Sequence, residues 1–223
     1  MEEELGKLTG RISLSDSLQS LGFVSLGSEQ CELQLPANGW FQSGAETYIY
    51  PFSVLCDGKI TKLVLKACVA FAPGLQLEAI LKNWINRRRL LASRGVRTPR
   101  LYIWGSGVVI EEDVPFSLKA LIQRNIPLPP AILIGLAEVA GILASLGFKP
   151  IGPFGDLRSH GDDIVMVDFG QDLGPPGIPT TDQDETLFGE LLKTLNNWGT
   201  AIPHGFESCL FSTYMAQFKV PPL

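Results

Sequence analysis

Asp57-Gly58 separates two runs rich in β-branched and aromatic residues, "TYIYPFSVL" before it and "KLVLKACVAF" after it. A two-residue Asp-Gly connection favours the tight turn whose twist matches paired strands. Residues 41–70 therefore read as an antiparallel strand pair, preceded by a small turn in "QSGAET". Such a pair cannot bury both its faces alone, so the rest of the chain must supply cover. The second strand also places a lysine, Lys66, in the middle of an apolar run.

The next segment, "LQLEAILKNWINRRRLLASRG", has Leu77, Ile80, Leu81, Trp84, Ile85, Leu90 and Leu91 near a 3.6-residue period. It predicts a helix that Gly95 stops. "RLYIWG" and "GVVIEE" predict two further strands around a Gly-Ser-Gly turn, and "SLKALIQRN" a short helix. Residues 129–147 predict a long helix, with Ile132, Leu136, Val139, Leu143 and Leu146 on one stripe. A loop with a hairpin comes next in "KPIGPFGDLRSHGDDIVMVDFG", then a Pro/Gly-rich segment, a helix in "ETLFGELLKTLNNW" and a further helix near Tyr214. Strands come first and helices later, without βαβ alternation. The expected fold class is α+β, a strand-rich lobe joined through residues 111–117 to a helical lobe. Residues 1–40 are polar and uneven and read as an N-terminal extension.

Composition narrows the function classes. Hydrophobic residues make up 45% and charged residues 18%, which argues against disorder. The net charge of −5 argues against a dedicated DNA-binding protein, which needs a basic excess. The basic residues cluster, however, as Lys82, Arg87, Arg88, Arg89, Arg94, Arg97 and Arg100. The bland reading is a solvated helix face; the sharper one is a local contact for RNA or an acidic partner through Arg87–Arg100. No apolar run is long enough for a membrane span, so no membrane partner is expected. The start "MEEELGKLTG" is not a signal-peptide pattern, and Cys31, Cys56, Cys68 and Cys209 form no CxxC pair. The expected setting is cytoplasmic with reduced thiols, and a zinc site is not expected.

The order of the chemistry-bearing residues is more specific. Lys66 sits in "LVLKAC"; Glu78 is the acidic residue of the following helix; "VVIEEDVPFSL" runs from an apolar strand into an extended linker; and "DDIVMVDFGQDLG" ends an apolar run in Asp168-Phe169-Gly170. From Phe41 to Trp198 this succession resembles the protein-kinase-like superfamily. It is similar to its small atypical members: aminoglycoside and choline kinase-like phosphotransferases, RIO kinases and the small kinase of the tRNA threonylcarbamoylation complex. "GAET" resembles the "GAEA" turn of the last group, "LLASRGVRTPRLYIWG" the "GVPTPRVL" passage, and "VVIEEDVPFSL" the hinge "mEyvpG.sL".

The resemblance implies a two-lobed kinase-like fold, with an N-lobe over 41–112 and a reduced helical C-lobe over 113–223. It implies that ATP and Mg²⁺ bind between the lobes. Lys66 would hold the phosphates, with Glu78 as its carboxylate, and Gly44 and Glu46 would lie in the phosphate-side turn. The backbone from Glu112 to Val114 would meet the adenine. Asp168 would ligate Mg²⁺, which prefers carboxylate oxygen. The family pattern nevertheless places its helix glutamate nearer the "GV" turn, at Trp84.

The catalytic loop departs from the pattern. "FGDL" resembles "HGDL" with Phe154 in place of His, yet Asp168 follows Asp156 by only 12 residues, and Gly161 stands where the pattern has asparagine. Two alignments stay open. Asp156 is the base, with Asp162 or Asp163 in the metal role of the asparagine; or Asp156 replaces that asparagine, and the base position falls near Ile151, which has no acid. The expected function is an ATP-dependent phosphotransferase acting on a small molecule or a limited protein target. The alternatives are a pseudokinase, which binds nucleotide or protein without transfer, and an unrelated α+β binding protein.

Overall fold

The computed structural model describes residues 32–34, 42–43, 47–56, 58–68, 77–105, 107–114, 117–123, 127–148, 154–155, 157–170, 173 and 181–219. They group into two compact units, one within Met1–Ile85 and Pro99–Asp113, the other within Asn86–Thr98 and Val114–Leu223. The chain is α+β, with an antiparallel sheet and several helices.

The first unit is built on the hairpin of β3 (Thr47–Cys56) and β4 (Lys59–Cys68), paired along their whole length. β4 pairs on its other side with β6 (Val108–Glu112), and β6 with β5 (Leu101–Gly105), all antiparallel. β1 (Glu32–Gln34) and β2 (Gln42–Ser43) both pair with β3. β1 falls in the segment expected to be an extension, so part of that segment is sheet. Among the described residues, β2 pairs with Tyr48 and Ile49 and β1 with Ser53 to Leu55, so neither register includes Pro51, which has no N–H to give to a ladder.

Side-chain alternation sorts β4. Leu63, Leu65 and Ala67 lie on one face beside Tyr50, Phe52, Val108 and Ile110, all buried. Lys62, Val64 and Lys66 lie on the other, beside Val109 and Glu111. The sheet thus has one apolar face and one that carries charge in its middle.

Helix α1 (Leu77–Ser93) belongs to the first unit as far as Ile85 and to the second from Asn86. Its end follows from Gly95, whose φ of 94° is open to glycine and strained for other residues. Gly95 N–H and Val96 N–H close back on Ala92 and Leu91, and Val96 is buried.

The second unit is organised around α3 (Pro130–Ser145), which begins with proline at its first position. α3 packs against α4 (Thr181–Asn197), α5 (Phe206–Ala216) and β8 (Asp163–Met166). Being covered on several sides, it is apolar almost all round, with Glu138 exposed. A Cβ on Gly141 would collide with the Tyr214 carbonyl oxygen, so glycine there sets how closely α5 approaches. α2 (Leu118–Gln123) lies beside β7 (Leu157–His160), which forms a hairpin with β8. The strand-like end of the α1 turn joins this hairpin: Arg97 bridges Val165, and Met166 N–H donates to the Arg97 carbonyl at 3.0 Å. Among the described residues, no helix is long and apolar enough to cross a membrane.

Candidate functional site

Lys66 and Glu111 are diagonal neighbours on β4 and β6, because the register pairs Lys66 with Val109 and Val64 with Glu111. Lys66 Nζ lies 2.7 Å from Glu111 Oε1. Both residues are buried, at 8% and 1% exposure. The buried ring of Trp84 completes the surroundings, its centroid 5.4 Å from Lys66 Nζ. An ammonium is seldom buried unless paired, and a carboxylate and an aromatic face supply that pairing here.

The carboxylate beside Lys66 was expected to be Glu78 and is Glu111. Glu78 stands exposed in the first turn of α1. Strand register brings Glu111 to Lys66, and Trp84 on the helix supplies a ring.

The backbone from Glu112 to Val114 is partly committed. Glu112 N–H donates to the Arg100 carbonyl at 2.9 Å, and Asp113 N–H to the Lys62 carbonyl at 3.1 Å. Val114 is buried.

In the second unit, β8 runs out through Val167 into Asp168-Phe169-Gly170. Asp168 is half-buried, and its Oδ1 accepts from Gly170 N–H at 2.9 Å. Phe169 is fully buried. Arg87 Nη1 donates to the Gly170 carbonyl and, at 3.4 Å, to the Phe169 carbonyl. The Arg88 guanidinium lies 5.7 Å from the Phe169 ring centroid. Arg87 and Arg88 are buried, which corrects the solvated-face reading for these two, whereas Lys82, Arg89, Arg97 and Arg100 are exposed. Arg94 is half-buried and donates to the Gln217 carbonyl at 3.2 Å.

Gly44, Glu46 and Asp156 lie outside the described residues. Phe154 is buried. Asp162 and Asp163, weighed as metal ligands, are exposed on the hairpin turn, and Asp163 pairs with Arg97. Among the described residues there is no group of three or more metal-ligating side chains.

Glu111 and Trp84 were not singled out from the sequence as site residues, and Arg87 was weighed only as part of the Arg87–Arg100 cluster. The signals present were a glutamate inside "VVIEE", a tryptophan in the helix after Lys66, and arginines beginning on the same helical stripe as Trp84. In comparison with known proteins, no family model and no curated sequence matches this chain.

Proposed function

We propose that this chain is an ATP-dependent phosphotransferase with an atypical kinase-like fold, acting on a small molecule or a limited protein target. The observation that carries the reading is the buried Lys66, its ammonium held by Glu111 and Trp84 on the charged face of an otherwise apolar sheet. A hydrophobic pair of similar volume often serves stability as well as a buried ion pair does. A retained, positioned ammonium suits a phosphate-binding role.

Phosphoryl transfer depends mostly on positioning and electrostatics. Lys66 would neutralise phosphate oxygens, and Glu111 would keep its ammonium in place. The N–H groups of Glu112 and Asp113 donate to the Arg100 and Lys62 carbonyls, so in this reading Val114 N–H and carbonyls of this stretch would meet the adenine. Asp168 offers a hard carboxylate oxygen at a strand end, a donor type that fits Mg²⁺, with Asp156 as base or second ligand. When bound, Mg²⁺ would neutralise charge on the phosphates.

A thermal-shift titration tests nucleotide binding. Millimolar Mg·ATP is expected to raise Tm in a concentration-dependent way, and no shift would remove the reading. ATP turnover is expected to fall to background in Asp156→Ala.

A second reading, a nucleotide- or protein-binding module without transfer, is favoured by the internal bonds of both charged groups. Lys66 is ion-paired with Glu111, and Asp168 caps its own turn. Background turnover in the wild type and in Asp156→Ala alike, together with a thermal shift, would select it.

A further inference from the structure

Phe169 C=O and Gly170 N–H belong to one peptide plane. Its N–H is held by Asp168 Oδ1 at 2.9 Å, and its C=O faces Arg87 Nη1 at 3.4 Å. The next carbonyl, that of Gly170, accepts from the same Nη1. This nitrogen carries two N–H groups, enough for one to each oxygen. Rotation of the peptide plane would break the bonds on both of its edges together. The plane precedes a glycine, where backbone rotation is otherwise least restricted. Phe169, buried beneath Arg88, anchors the same turn from its side chain.

We infer that Arg87 is a positioning residue for Asp168: it fixes the Asp168-Phe169-Gly170 turn in one conformation and so presents the Asp168 carboxylate to a divalent cation. The metal half of this inference rests on the phosphotransferase reading; the turn-holding half does not. Arginine suits the task because it stays charged and places its donors in a rigid plane. Lysine offers a point charge on a flexible stem and should do the same job less well. Partners that orient a metal-binding carboxylate typically alter metal affinity strongly when removed.

The test uses the full chain as wild type, Arg87→Met and Arg87→Lys. Amide hydrogen exchange in EDTA reads the Gly170 N–H against amides inside α3. Calorimetric titration with ATP, in EDTA and then in excess Mg²⁺, reads the metal-dependent gain in affinity. In Arg87→Met, Gly170 exchange should accelerate while the α3 amides hold, and the metal-dependent gain should fall about 10-fold or more. ATP affinity in EDTA should stay the same, and Arg87→Lys should recover part of both losses. Unchanged Gly170 exchange in both variants would overturn the inference. Accelerated exchange with an unchanged metal-dependent gain would overturn its metal half. A wild type without any metal-dependent gain would sink the phosphotransferase reading and the metal half together, while the exchange measurement still decides whether Arg87 holds the turn.

Discussion

Lys66 meets a carboxylate at 2.7 Å, whereas Arg87 meets two backbone carbonyls. Both cations are buried to a similar degree, at 8% and 9% exposure. The difference lies in what each would leave behind. Glu111 is a carboxylate at 1% exposure, and without Lys66 it loses the ammonium that lies 2.7 Å away. The carbonyls that Arg87 serves are neutral, and without it they lose a charged donor. A compact ammonium suits the single carboxylate, and a planar guanidinium suits oxygens on successive peptides. Burying a cation against a charge makes a pair whose members depend on each other. Burying one against the backbone ties down a loop.

The contrast can be broken at its strongest point first. Lys66→Met should destabilise the fold by about 3–5 kcal/mol in urea unfolding, because it takes the ammonium away from a buried carboxylate. A loss below about 1 kcal/mol would show that Glu111 is not confined to the pair. Adding Glu111→Leu to Lys66→Met should return most of that stability, since an apolar pair replaces a buried ion pair at little cost. Failure to recover would place the value of Lys66 in its contact with Trp84 instead. Arg87→Met should cost about 1–3 kcal/mol, through loss of its hydrogen bonds to the two carbonyls. A loss as large as that of Lys66→Met would erase the distinction. Arg97→Ala supplies the low end. Its pair with Asp163 is largely solvent-exposed, so the change should stay under about 1 kcal/mol and shrink further in high salt.

Much of the fold was legible because local chemistry and tertiary need coincide. Asp57-Gly58 between β-rich runs marked the β3–β4 hairpin, and its register runs from Thr47–Cys68 to Cys56–Lys59. The apolar periodicity before Gly95 marked α1, and that after Pro129 marked α3, because a helix buried on several sides cannot carry charge there. The site was less legible. Glu111 reads in sequence as one of two adjacent strand-end acids, and only the β4–β6 register separates it from Glu112, which faces the opposite way. The arginine run looks like a solvated face by composition. Helical geometry turns Arg87 and Arg88 inward and Arg89 outward, and the interior accepts them because Phe169 and Gly170 offer carbonyls and a ring. β1 carries only "ELQ", too short and too polar to show as a strand, and it gains its place from the free edge of β3 beyond Pro51.

By itself, the sequence determined the order of strands and helices, the turns that join them, and the isolation of Lys66 and Asp168 within apolar runs, because propensity and periodicity act over a few neighbouring residues. Which groups those two residues bond was decided only by tertiary structure. Strand register brought a carboxylate 45 positions along the chain to Lys66, and a helix 83 positions before Gly170 reaches the turn that Asp168 caps. Such contacts depend on how elements pack, and no local pattern encodes that.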